Sequence, residues 1–104
     1  MKKIIHGKTY NTDNAELIAS WSNGFSSSDF NHCNEDLYRT KKGAYFIAGS
    51  GGPLSCYAES LGDSQCGGEE IKPLSKRDAL KWCEEMDINP DITEEEFSDL
   101  IEDA

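Results

Sequence analysis

Long apolar runs are missing from this chain. The longest, Ala44-Tyr45-Phe46-Ile47-Ala48, is five residues, far short of the ~20 that a membrane-spanning helix requires. Bases are scarce: 10 Lys and Arg stand against 20 Asp and Glu, for a formal net charge of −10. Direct nucleic-acid binding of the ordinary kind, which needs clustered cations to neutralise phosphates, is therefore excluded. The start, Met1-Lys2-Lys3-Ile4-Ile5, runs straight into His6-Gly7-Lys8. The apolar core of a secretory signal is absent, and a cytoplasmic protein is expected. No C-x2-C pair exists among Cys33, Cys56, Cys66 and Cys83. With only His6 and His32 to add, no zinc module is matched, and neither metal nor cofactor is expected. In a reducing compartment the four cysteines read as free thiols; an even count also leaves three disulfide pairings open.

What the chain does have is an uneven distribution of charge. Residues 1–52 carry six bases and five acids, whereas residues 53–104 carry four bases and fifteen acids. From Glu84 to the C-terminus there are ten acids and no base. A helix that is merely soluble mixes signs to gain i,i+4 pairs, so a one-signed run calls for another explanation. A length of 104 residues fits one domain, 1–104, which buries roughly two-thirds of its unfolded surface.

Lys3–His6 and Lys8–Tyr10 read as a short hairpin around Gly7. Thr12 or Asp13, with Glu16, resembles a helix start, and Leu17, Ile18 and Trp21 then form one apolar face. Asn23-Gly24 stops that helix, and a polar connection over 22–36 follows, pinned by Phe25 and Phe30. Leu37–Lys41 and Ala44–Ala48, joined by Lys42-Gly43, are the clearest hairpin. A glycine-rich loop spans 49–68, and Glu70-Ile71-Lys72 returns as a strand. Ser75 caps a helix whose Ala79, Trp82, Cys83 and Met86 make one buried stripe. Asn89-Pro90 breaks it. Thr93 then caps a last helix through a capping box with Glu96, with Phe97, Leu100, Ile101 and Ala104 on its inner side. The expected fold is α+β, a small antiparallel sheet with about three helices packed on it and an acidic C-terminal helical segment.

Catalytic patterns are weak. Gly49-Ser50-Gly51-Gly52 lacks the Gly-Lys-Ser/Thr ending of a phosphate-binding loop. His32-Cys33 are chain neighbours and do not make a dyad. The acidic third is the stronger candidate. Glu84, Glu85, Asp87, Asp91, Glu94, Glu95, Asp99, Glu102 and Asp103 would present carboxylates about 5–6 Å apart on helical faces, a spacing suited to a basic groove built for nucleic acid. The alternative is an interaction module using Lys8, Arg39, Lys41, Lys42 and Tyr57, with the acidic tail only solubilising.

Several segments carry a resemblance: Ile5-His6-Gly7-Lys8-Thr9-Tyr10-Asn11-Thr12 with Ala15; Leu37-Tyr38-Arg39-Thr40-Lys41-Lys42-Gly43-Ala44-Tyr45-Phe46; Gly51-Gly52; and Ile71-Lys72-Pro73-Leu74-Ser75 with Ala79 and Trp82. Over residues 3–85 the chain resembles short proteins encoded by phages and mobile elements of bacteria, some of which are anti-CRISPR inhibitors that mimic nucleic acid. The resemblance implies a small non-enzymatic inhibitor in the cytoplasm of a bacterial host cell. It further implies a CRISPR effector protein or complex as partner. That this partner is met through a basic groove rests on the charge of the acidic third, which lies mostly outside the matched segment, and no membrane is expected to be involved.

Overall fold

The computed structural model describes all residues, 1–104. It is α+β, with antiparallel sheets and two helices, and strands predominate. No helix is long and apolar enough to cross a membrane.

The chain opens with an antiparallel hairpin of β1 (Lys2–Ile5) and β2 (Lys8–Asn11), as expected from Gly7. His6 and Gly7 both have positive φ, 51° and 76°, the two-residue turn whose twist suits a hairpin. The segment expected as the first helix is instead β3 (Glu16–Ser22). Its polar lead-in is used differently: the Asn11 side chain accepts from the Asp13 N–H at 3.0 Å and closes a turn. The mistaken helical period has a clear cause. Pairing slips between Leu17 and Ala19, so that Ile18 is an extra residue in the strand. A bulge breaks strict alternation, and apolar residues at 17, 18 and 21 then imitate one helical face.

β3 pairs with β4 (Cys33–Arg39), β4 with β5 (Tyr45–Gly51), and β5 with β8 (Gly68–Leu74), all antiparallel. The β4–β5 turn lies where Lys42-Gly43 placed it, held by Thr40: its N–H donates to the Ala44 carbonyl at 2.7 Å, and its Oγ1 accepts from the Ala44 N–H at 3.0 Å. Within the segment expected as loop, β6 (Glu59–Leu61) and β7 (Ser64–Cys66) form a small separate hairpin.

Ser75 caps α1 (Lys76–Glu85), its side chain accepting from the Asp78 N–H at 3.1 Å. The second helix, α2 (Pro90–Glu96), starts earlier and ends sooner than the expected Thr93-capped helix. Asn89-Pro90 initiates rather than only breaks: the Asn89 side chain accepts from the Asp91 N–H at 2.9 Å, and proline at the first helical position forfeits no hydrogen bond. Phe97 and the residues after it lie beyond the helix. Two helices therefore take the place of about three.

The sheet is covered on both sides. On one face Ala19, Leu37, Tyr45 and Ile47 pack against Ala79, Leu80, Trp82 and Cys83 of α1, and against Phe97. On the other, Phe46, Ala48 and Ile71 are covered by Tyr10 of the N-terminal hairpin, with Ile5 alongside. Tyr10 meets Phe46 edge-on at 5.5 Å and Tyr38 stacks on Phe46 at 5.3 Å between ring centroids. A strand buried on both faces reads as a continuous apolar run, which is why residues 44–48 are so legible. Phe25 and Phe30, expected to pin their loop, are instead exposed at 51% and 64%. That loop is held by polar bonds: the Asn23 side chain donates to the Asn31 carbonyl at 2.7 Å, and Asp29 accepts from the Asn31 N–H at 2.8 Å.

Candidate partner-binding surface

The nine carboxylates singled out in the sequence are all exposed. They do not share one helix. Glu84 and Glu85 end α1, Asp87 stands in the connection with φ 53°, and Asp91, Glu94 and Glu95 lie on α2. Asp99, Glu102 and Asp103 follow beyond the last helical residue. The structure brings one subset together: Asp91, Glu94 and Glu95, with Ser98, line a shallow groove of about 450 Å³. Their i, i+3, i+4 spacing survives because α2 includes all three. Of the nine, only Asp99 meets a cation, Lys76 Nζ at 2.8 Å. That ammonium holds the Asp99 carboxyl below its usual range. The other eight have no basic partner within salt-bridge distance.

The tenth acid of the run behaves differently. Glu96 is half-buried and accepts from Arg39 Nη1 at 2.6 Å and from the Tyr45 hydroxyl. Arg39 also donates to Glu16 on β3. The end of α2 is thereby fastened to β4 and β5, and Phe97, fully buried, adds the apolar anchor beside it. Burial, and then the Glu96 carboxylate, push the Tyr45 hydroxyl up to about 12. Leu100 packs on the same core, whereas Ile101 and Ala104 remain exposed. The C-terminal segment is thus a docked element rather than a detachable tail.

The alternative set is only partly brought together: Arg39 and Lys41 line a groove of about 460 Å³ with Asp13, Asn14, Ala15, Glu16 and Thr40. Lys8, Lys41 and Lys42 are exposed, but Arg39 is engaged by two carboxylates and Tyr57 is buried. Tyr57 is a packing anchor. Its ring lies where a Cβ on Gly49 would be, and Lys72 Nζ sits 4.5 Å from its centroid. Its hydroxyl donates to Glu35, which also accepts from Trp82 Nε1 at 3.1 Å. Burial first, and then Glu35, raise the Tyr57 hydroxyl far above the ordinary phenol range.

Sequence reasoning missed Glu35 and gave Glu96 the wrong task, a capping box with Thr93, whereas Asn89 caps α2 and the Glu96 carboxylate meets Arg39 and Tyr45. A signal for Glu35 was present, since Cys33, Glu35 and Leu37 recur with period two on a strand whose paired neighbour is apolar. For Glu96 the signal was its place immediately before Phe97.

For chemistry, the geometry offers little. Nowhere do three His, Cys, Asp or Glu side chains gather as a metal-holding group. His32 Nδ1 is engaged by the Asp29 carbonyl at 2.6 Å, and His6 lies exposed in the first turn. All four thiols are free, and Cys33 Sγ faces Cys56 Sγ at 3.9 Å. A scan of protein-family models, a search of curated proteins and a search of solved structures each find no match to this chain.

Proposed function

We propose that the protein is a non-enzymatic inhibitor whose C-terminal carboxylate surface occupies a basic, nucleic-acid-binding groove on a partner protein. A bacterial CRISPR effector is the partner class that the resemblance to anti-CRISPR proteins implies. One observation carries the reading: eight of the nine exposed carboxylates between Glu84 and Asp103 have no cation of their own. Charges left unneutralised at a surface are free to be neutralised by another molecule. Asp91, Glu94 and Glu95 stand on a helix anchored through Glu96 and Phe97, so their spacing is held before binding and little ordering entropy is lost. Negative charge of this density also steers encounter with a basic cleft, in a way that added salt suppresses.

The test replaces Asp91, Glu94, Glu95 and Glu102 by Lys in one variant. All four are exposed and unpaired, so circular dichroism should be unchanged. Binding to CRISPR effectors captured from lysates of strains with defined defence systems should then disappear. Wild-type binding by the folded variant overturns the proposal. Truncation at residue 90 is not a usable substitute, because it removes Phe97 from the core.

A further inference from the structure

Two of the four thiols lie close together and in unequal surroundings. Cys33 is buried at the start of β4 on the central sheet, whereas Cys56 is exposed in the segment between β5 and β6. Their sulfurs are 3.9 Å apart. Cys83 is buried within the α1 core, and Cys66 sits on β7.

We propose that Cys33 and Cys56 form a dithiol redox site, converted to an intramolecular disulfide by a low-molecular-weight disulfide of the glutathione class. The site stands independently of the acidic surface and its partner.

Three features fit this chemistry. First, a disulfide requires the sulfurs to come within about 2.05 Å, and the closing movement falls on Cys56, whose backbone belongs to a loop and not to a sheet. That loop is already seated beside the start of β4 on both sides of Cys56: the Gly52 N–H donates to the His32 carbonyl at 3.0 Å, and the Tyr57 hydroxyl donates to Glu35. Second, exposure divides the roles. The Cys56 thiolate, reachable from solvent, attacks the incoming disulfide, forming a mixed disulfide and expelling one glutathione thiolate. Cys33 then releases its proton, and its sulfur attacks Cys56 Sγ, forming the protein disulfide and expelling the second glutathione thiolate. Two protein thiols and one glutathione disulfide become one protein disulfide and two glutathione thiols. Third, burial pushes the Cys33 thiol up to about 11, which leaves little thiolate there to meet the reagent. The first attack therefore falls to the exposed Cys56, and the second relies on Cys33 Sγ being held 3.9 Å from Cys56 Sγ. The product ties the loop to the strand next to the Tyr57–Glu35 bond.

The experiment incubates the folded full-length protein with glutathione disulfide, quenches with acid, unfolds it in urea, and then blocks remaining thiols with N-ethylmaleimide near neutral pH. Cleavage after glutamates separates Cys33, Cys56 and Cys66, because Glu35 and Glu59 lie between them. The expected result is a fall from four labelled thiols to two, with one peptide joining Cys33 to Cys56 that dithiothreitol splits. In Cys33→Ser, Cys56 should instead retain a bound glutathione. In Cys56→Ser, at the exposed position, the three remaining thiols should all be labelled, and this variant carries the control should Cys33→Ser fail to fold. Four labelled thiols in the treated wild type, or a link joining Cys56 to Cys66, overturns the proposal.

Discussion

Glu95 and Glu96 are adjacent in the chain and opposite in use. Glu95 faces solvent beside Asp91 and Glu94, with no cation nearby, while Glu96 turns inward to Arg39 and Tyr45. Glu35 belongs with Glu96, held between Tyr57 and Trp82. The same functional group serves as a structural tie where donors surround it and as a free charge where they do not. An acid count along the sequence merges the two populations. The difference also implies that the surface depends on the ties, because α2 is positioned by Glu96 and Phe97.

The comparison can be broken most severely at its anchor. Phe97→Ala removes a fully buried ring between the sheet and α1 and should cost about 3–5 kcal/mol, read as a lower urea midpoint. Next comes Glu35→Ala, which strands the Tyr57 hydroxyl and Trp82 Nε1 in the interior. A loss of about 1–3 kcal/mol for each buried donor left unpaired is expected. Glu35→Gln, which keeps an acceptor, should lose less, and Trp82 fluorescence should report the change. The pair of neighbours gives a finer contrast. Glu96→Gln should destabilise by about 1–2 kcal/mol, since hydrogen bonds to charged groups are the stronger kind, whereas Glu95→Gln should stay within about 0.5 kcal/mol of wild type. Equal effects at the two positions would erase the distinction drawn here.

The smallest expected effect near neutrality is in pH. The Cys33 thiol is raised to about 11 from 9.0 and the Tyr45 hydroxyl to about 12 from 10.0, burial being the first cause in both. In the folded state these groups hold protons that the unfolded chain has already released. Their contribution is therefore complete below about pH 9 and is lost as pH rises toward 11–12. Urea midpoints should be flat across pH 7–8.5 and fall progressively above that range; Tyr45→Phe should lose the part contributed by the phenol.

Much of the fold could be read from residue patterns. The β4–β5 hairpin was legible because β5 is buried on both faces, and α1 because Ser75, Asp78 and the Ala79–Trp82–Cys83 stripe agree. β3 was not, because the Ile18 bulge moves side chains off strict alternation. The bounds of α2 were missed because Asn89-Pro90 both ends one helix and starts another, and nothing local distinguishes the two uses. Phe25 and Phe30 were misplaced because aromatic character alone does not tell an anchor from an exposed side chain. At the candidate surface, exposure of the nine acids followed from their number and spacing. The ties made by Glu35 and Glu96 did not, because their partners lie 22 to 57 residues away in sequence.

Gly49 extends the same logic to a place that carries no charge at all. Its bare backbone leaves a notch in the middle of β5, and the phenol of Tyr57 fills it. Alanine there would thrust a methyl into the ring, and the aromatic would have to swing out. Glu35 would then keep a single donor, and the thiol next to the displaced ring would drift from its counterpart on β4. One hydrogen atom's worth of space on an inner strand therefore governs both how the interior acid is satisfied and whether two distant sulfurs remain within reach of each other.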